Sequence, residues 1–191
     1  NPHDRKFAGF SKVVTTDALG NVTHQYFHQG NDSAVQLGEF LDSKAKINMM
    51  YREEKYDSQA HLYAKSINKW ESVDLGNSRN FAYISQSVQQ VYDGNATHKD
   101  KAQSYTYNTS NGNLTQQTNW GEVTGNDDGT FQDIGSDHLI TDIAYVTNGT
   151  LLVGLPLQEI TNDNQNNKVA QTNYYYDALP FGQVTIGNLT K

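Results

Sequence analysis

Short runs of alternating apolar and polar residues fill most of the chain. Thr and Tyr dominate these runs, and both side chains suit a pleated strand with one buried face. Gly, Asn and Asp stand between the runs, as they do at hairpin turns. The pattern predicts an all-β fold of consecutive long antiparallel β-hairpins forming a twisted sheet. The predicted strands are Phe10–Thr16, Val22–His28, Ile47–Tyr56, His61–Ser72, Phe81–Tyr92, Ser104–Tyr107, Leu114–Trp120, His138–Thr147, Leu151–Thr161 and Val169–Tyr176.

Four places depart from this alternation. A polar loop is predicted over Asp93–Lys101, and the longest and most mobile loop is predicted over Gly121–Asp137, where Gly, Asp and Asn lack strand periodicity. In Asp32–Lys46 apolar residues recur at helical spacing around a glycine, so a short helix and a compact loop are both open. Pro156 lies inside a predicted strand and indicates an edge or a bulge.

One turn unit recurs between the runs. Tyr105-Thr106-Tyr107 places two tyrosines on one face of a strand, and the Asn-Gly pair that follows closes a hairpin. Because these turns need a residue that tolerates positive φ, positive φ is predicted at Gly20 and Gly112. The structural residues of the unit are Gly20, Asn21, Tyr56, Asp57, Tyr92, Asp93, Tyr105, Tyr107, Gly112, Asn113, Tyr174, Tyr176, Asp177, Gly187 and Asn188.

The turn unit resembles the YD-repeat family, also called Rhs repeats, whose loose consensus is Tyr-x-Tyr-Asp-x-x-Gly-Asn-Leu. The resemblance runs nearly end to end, from Gly-Phe-Ser-Lys-Val at 9–13 to Gly-Asn-Leu-Thr at 187–190, and it is to the shell region of Rhs and insecticidal toxin complex proteins. It implies long strands that form a hollow shell around a toxic C-terminal polypeptide. The implied partners are neighbouring repeat segments of the same polypeptide and this enclosed cargo. The family's autoproteolytic motif has no counterpart here, so self-cleavage is not carried over.

The composition narrows the classes of function. The chain has 191 residues, 36% of them hydrophobic, with no Cys and a net charge of −7 that includes only 14 Lys and Arg. The low apolar fraction is typical of a sheet wetted on one face. The acidic charge argues against nucleic acid as a partner, and the lack of an apolar run of about 20 residues argues against membrane insertion. The absence of Cys excludes disulfides and thiolate zinc sites.

The length fits one domain, and the pattern predicts a single repeat segment over residues 1–191, cut from a much longer repeat protein. A cut through a sheet leaves strands without neighbours, which are templates for pairing with another chain. Self-association through sheet edges is therefore predicted, with Phe10–Thr16 and Gly187–Lys191 as the candidate edges.

Three groups of residues invite a chemical interpretation. His24 and His28 would lie about 13 Å apart on a strand, too far to bind one metal ion. The acidic loop at 126–129 fails the EF-hand spacing, so a solvated hairpin loop is favoured. Paired carboxylates for glycoside cleavage need a defined gap and a cleft, which nothing in the sequence marks. The carboxylates considered are Glu53, Glu54, Asp57, Glu71 and Asp74. The sequence therefore predicts no enzyme, with no catalytic, cofactor-binding or metal-binding residue.

Two functional hypotheses follow. The first is a structural segment of a shell that encapsulates or displays a C-terminal toxin-like polypeptide, secreted or at the cell surface. The alternative is a stand-alone secreted β-module that binds glycans or a cell-surface partner through exposed aromatics, including Trp70 and Trp120. On a sheet that packs its own aromatic rows, such side chains more often fill cross-strand space.

Overall fold

The chain forms strands throughout the part that the structure describes. The computed structural model describes residues 9–30, 43–147 and 154–191. Within these residues there is one 3-10 turn, Lys44–Lys46. The strands are β1 (Lys12–Thr16), β2 (Val22–Phe27), β3 (Met50–Tyr56), β4 (Leu62–Asp74), β5 (Asn80–Val91), β6 (Lys99–Asn108), β7 (Asn113–Gly125), β8 (Phe131–Asp133), β9 (Leu139–Tyr145), β10 (Pro156–Asn162) and β11 (Lys168–Asn173). The prediction of an all-β fold is confirmed.

The strands belong to one antiparallel sheet in hairpin order. Their sequence across the sheet is β1-β2-β3-β4-β5-β6-β7-β9-β10-β11, and β8 pairs with β7 away from this path. Each strand thus lies beside the strand that precedes it in the chain, except where the β7–β8 hairpin intervenes. The predicted consecutive hairpins are confirmed, and β1, the candidate edge strand, stands at one end of the order.

Three of the hairpin turns share one geometry, in which an Asp carboxylate caps the turn. The Oδ1 atom of Asp57 accepts the backbone N–H groups of Gln59 at 2.9 Å and His61 at 2.8 Å. The same pair of bonds, to the residues two and four positions later, forms at Asp17 and Asp163. The residue three positions after the Asp has positive φ, which lets the chain reverse within five residues. These residues are Gly20 (+85°), Ala60 (+66°) and Asn166 (+64°).

The turn between β6 and β7 uses asparagine instead. The carbonyl of Asn108 accepts the Gly112 N–H at 2.8 Å, and the Asn111 side chain accepts the Asn113 N–H at 3.0 Å. Gly112 has φ +81°, so positive φ is confirmed at both glycines for which it was predicted.

Both predicted loops in the middle of the chain are partly wrong. Strand β6 already begins at Lys99. Asp100 and Ala102 point inward between exposed lysines, and this strand alternation was missed because one of the inward residues is charged. The predicted loop Gly121–Asp137 is mostly a hairpin, since β7 continues to Gly125 and β8 pairs back onto it. Within the predicted range, the turn at 126–130 and the segment 134–137 lie outside strands, as expected.

Other local predictions have mixed outcomes. The pairing of β10 with β9 shifts register between Pro156 and Gln158, an irregularity that agrees with the bulge among the two alternatives, edge or bulge, predicted for Pro156. Of the segment Asp32–Lys46, only the 3-10 turn and the serine before it are described, and the rest of that helix-or-loop prediction lies outside the described residues. The predicted strand start at Leu151 lies outside them as well.

The C-terminal segment folds back onto Tyr174–Asp177. Tyr176 and Leu189 form an antiparallel bridge, and the Tyr175 N–H donates to the Lys191 carbonyl at 2.9 Å. The Asp177 carboxylate accepts four consecutive backbone N–H groups, and these bonds, led by that from Gly187, hold its pKa well below the usual range. The four donors are Thr185, Ile186, Gly187 and Asn188.

The described residues group into two compact units. Unit 1 takes the chain up to Ala102 together with Glu122–Ile134, and unit 2 takes Gln103–Gly121 and Gly135–Lys191. The buried hydrophobic residues of unit 1 are Tyr51, Ile67, Val88, Ala102 and Val123. Those of unit 2 are Val146, Tyr176 and Val184, with Leu155, Leu157 and Tyr174 packed against them. Each unit therefore has a small apolar core, and many of its other packing contacts are polar.

Candidate functional site

The most unusual feature of unit 1 is a row of buried polar side chains on one face of the sheet. We call Glu54, Lys65, Gln90 and Asp100 the polar row; they lie on β3, β4, β5 and β6 and are 5%, 5%, 1% and 4% exposed. Glu54 is the register partner of Lys65, and Lys65 is that of Gln90, so three of them follow one line across the strands. Because ionised groups are seldom buried without partners, each member of the row must be matched by specific contacts.

Glu54 is held by four donors. Its Oε1 accepts Arg52 Nε at 2.8 Å and Nη2 at 2.5 Å, and its Oε2 accepts the phenol of Tyr26 at 3.0 Å. The phenol of Tyr56 donates to the same Oε2 at 2.9 Å. Burial by itself would raise the pKa of the Glu54 carboxyl, but the Arg52 guanidinium and the two phenols lower it below the ordinary value. Burial and the Glu54 charge raise the pKa of Tyr56. The cluster therefore stays ionised on Glu54 and neutral on the phenols.

Lys65 has a different kind of partner. Its side chain is 4% exposed, and its Nζ donates to the carboxylate of Asp127, whose own side chain is 72% exposed. The same Nζ lies 3.3 Å from the phenol oxygen of Tyr92 and 5.3 Å from the centre of that ring. The hydrogen bond from Lys65 holds the pKa of Asp127 below the usual range, and the charges of Arg52 and His98 act in the same direction. A buried ammonium is thus neutralised by an acid that reaches it from the solvent side.

The β7–β8 hairpin brings Asp127 to this face. We call residues 125–129 the hairpin tip. Gln90 Nε2 donates to the Gly125 carbonyl at 3.1 Å, and the Gly125 N–H donates to Asp100 Oδ2 at 2.7 Å. A Cβ at position 125 would stand 2.9 Å from Val88 Cγ1 and 3.2 Å from Asp100 Oδ2. Only glycine allows the hairpin to approach the polar row this closely.

Further polar contacts fix the tip. Arg52 Nη1 donates to the Asp127 carbonyl at 3.0 Å, and Gln86 Nε2 donates to the Gly129 carbonyl at 2.6 Å. Asp127 therefore does not belong to a freely solvated loop, as the acidic run alone suggested, although its side chain keeps most of its exposure. Sequence reasoning missed Arg52, Lys65, Gln90 and Asp100. The available signal was the alternation of Val123 and Gly125 as inward positions of a longer β7.

Three of the carboxylates considered for glycoside cleavage have local bonding partners. Both Glu54 oxygens are occupied by donors, and Glu53 points to the opposite face, where it contacts Lys55 at 3.1 Å. Asp57 is committed to its turn. Each of these three carboxylates thus has a bonding partner on its own strand or turn.

The predicted repeat residues occupy turns and strand ends of both units. Two of their tyrosines, Tyr56 and Tyr92, contact the polar row as described above, and Tyr105 donates to Gln103 Oε1 at 2.7 Å on its own strand. Turns, bridges and strand starts, or the residues directly beside them, are taken by Gly20, Asn21, Asp57, Asp93, Gly112, Asn113, Tyr174, Tyr176, Asp177, Gly187 and Asn188, while Tyr105 and Tyr107 lie on the same half-buried face of β6. The recurring turn motif thus forms hairpins in both unit 1 and unit 2.

The other candidate groups have local roles. The rings of His24 and Tyr56 lie 5.0 Å apart, and no group of three or more His, Cys, Asp or Glu side chains within the described ranges is placed to hold a metal ion. Trp70 donates to the Met50 carbonyl at 2.9 Å, and Trp120 donates to Ser104 Oγ at 3.0 Å. In the described portion of the chain there is no helix with the length and apolar character needed to span a membrane.

Comparisons with known proteins add no relative. No family model matches the chain, and no curated protein sequence is significantly similar to it. The resemblance to YD repeats accordingly stays a prediction from the turn residues.

Proposed function

We propose that the chain is a structural segment of a YD/Rhs-repeat β-shell that encapsulates or displays a C-terminal toxin-like polypeptide. The observation that carries this proposal is the recurrence of one carboxylate-capped turn at Asp17, Asp57 and Asp163 in a sheet built hairpin by hairpin. A wall made of repeats requires a turn that reverses the chain in the same way each time. Neighbouring repeat segments would extend this wall, and the protein would act outside the cell or at its surface.

The distribution of polar groups is consistent with a wall. The sheet buries few apolar side chains, and on one face of unit 1 it buries ionised groups that satisfy one another. Such a sheet keeps its shape through turns and side-chain networks, without a thick apolar core.

The glycan-binding alternative has less support. The two tryptophans that would form a stacking platform are half-buried, and both donate their indole N–H to groups within the sheet. Exposed aromatic side chains are present at Phe10, Tyr63 and Phe181, and binding through these is the outcome that the test below would detect.

The experiment uses the full product of the gene. The proposal predicts further YD repeats around this segment and a C-terminal polypeptide that resists protease while the shell is intact. The same polypeptide, expressed alone, is the control and should be cut rapidly. Cleavage at equal rates inside and outside the full product would contradict encapsulation, and glycan-array binding that is lost on Tyr63→Ala would favour the alternative.

A further inference from the structure

Lys65 of the polar row is a cation fixed in the sheet, and Asp127 of the hairpin tip is the anion that is delivered to it. The side chains of Lys65 and Arg52 are 4% and 6% exposed, and both contact Asp127. Glu54 already neutralises Arg52 through two hydrogen bonds. Of these two buried cations, Lys65 is the one that Glu54 does not neutralise, and Asp127 is its carboxylate partner.

The hairpin that carries Asp127 is a separate segment of its unit. Glu122–Ile134 joins unit 1 as a second stretch of chain, and Gly121, with φ +66°, and Gly135 stand directly on either side of it. The backbone oxygens of its tip are bound by side chains from the sheet, as the bond from Gln86 to Gly129 illustrates. Side-chain donors of the sheet thus bind the tip in the way that a protein surface binds a ligand.

We propose that Lys65, supported by Arg52, forms a carboxylate-binding site for which Asp127 is a tethered ligand. The carboxylate of a second molecule takes this place when the tip withdraws. A desolvated ammonium binds a carboxylate through short, charge-assisted hydrogen bonds, and the Tyr92 phenol and ring hold the ammonium in position. Tethering gives Asp127 a high effective concentration, so a competitor must be abundant or must bring additional contacts of its own.

The first arm of the test removes the tethered ligand. Asp127→Ala should lower the melting temperature, and formate should raise it again in a saturable manner, whereas chloride at the same ionic strength should not. Asp128→Ala is the matched control, because Asp128 lies in the same loop but bonds Thr130 within the turn. Lys65→Met combined with Asp127→Ala should abolish the response to formate.

The second arm uses the wild-type protein and does not depend on the folding of a variant. A synthetic peptide of residues 122–134 is titrated while the NMR signal of the Lys65 ε-methylene is followed, and the same peptide carrying Asp127→Asn is the control. A shift with the first peptide alone identifies the acidic side chain of a polypeptide as a ligand, and rescue by formate alone identifies a small carboxylate. If formate stabilises all variants equally and neither peptide moves the Lys65 signal, the proposed site is wrong.

Discussion

Replacing Glu54 by glutamine tests whether the buried charge cluster stabilises unit 1. The carboxylate accepts two bonds from Arg52 on one oxygen and one phenol bond each from Tyr26 and Tyr56 on the other. An amide of the same shape replaces one oxygen by a donor, so either the guanidinium or the phenols lose their acceptor. The change also leaves the Arg52 charge buried without its partner, which is the costly way to break such a pair.

The magnitude follows from these losses. Breaking a buried ion pair by removing one partner costs about 3–5 kcal/mol. For a chain of this size each kcal/mol lowers the melting temperature by about 2–4 °C, so Glu54→Gln should melt roughly 6–20 °C below the wild type. Glu53→Gln is the matched control: this neighbour is 20% exposed on the other face and pairs with the exposed Lys55. It should cost less than about 1 kcal/mol.

Thermal melts followed by circular dichroism measure the difference, and acid provides an independent check. The pKa of Glu54 is lowered below its ordinary value of 4.5 in the folded protein. Its contribution to stability is therefore complete above pH 4.5 and is lost as the pH falls through the lowered folded-state pKa. The gap between wild type and Glu54→Gln should narrow below pH 4.5. Equal melting of Glu54→Gln and Glu53→Gln at neutral pH would refute the reasoning.

Three further changes test the turns, the core and the C-terminal loop. Alanine at Gly20 or Gly112 should lower the melting temperature in separate melts, because both positions have positive φ and the loss exceeds the gain from a stiffer unfolded chain; an unchanged midpoint in both would contradict the turn assignment. Ile67→Ala, at 1% exposure, should cost about 2–5 kcal/mol in urea unfolding, whereas Ile186→Ala, at 73% exposure, should cost far less. Asp177→Ala should speed amide exchange over 185–188. In the wild type the protection of these amides, taken relative to their intrinsic exchange rate at each pH, should persist below pH 3.8 and be lost only at a much lower pH, because the pKa of Asp177 is lowered from that value and its bonds are lost on protonation.

The hairpin pattern was predictable because its signals are local. Asp57 follows a tyrosine at the end of an alternating run, and a carboxylate there bonds the next backbone N–H groups whatever the rest of the chain does. Positive φ at Gly20 and Gly112 followed from the same reasoning. These features depend on about five consecutive residues, so a sequence contains all the information that they need.

The polar row was not predictable because it depends on register and on a distant hairpin. Arg52 and Lys65 have the composition of a solvated strand, and both contact the tip, 75 and 62 residues further along the chain. The same applies to Gly125. In sequence it marks a loop, while in the structure it is the inward position that lets the backbone meet Asp100. The predicted loop was too long because such glycines were taken as loop residues, and it covered residues that form a strand.

The order of the strands has a consequence for the synthesis of the chain. From β2 to β6, each strand pairs with its predecessor and its successor, so its second edge is filled by the next strand to be made. A chain emerges at about 5–20 residues per second, whereas a hairpin closes in about 1–10 μs. Each of these strands can therefore pair as soon as it is complete. At β7 the pairing with β9 must wait until the β7–β8 hairpin has been synthesised, and this is the step at which a growing sheet would pause with one edge exposed.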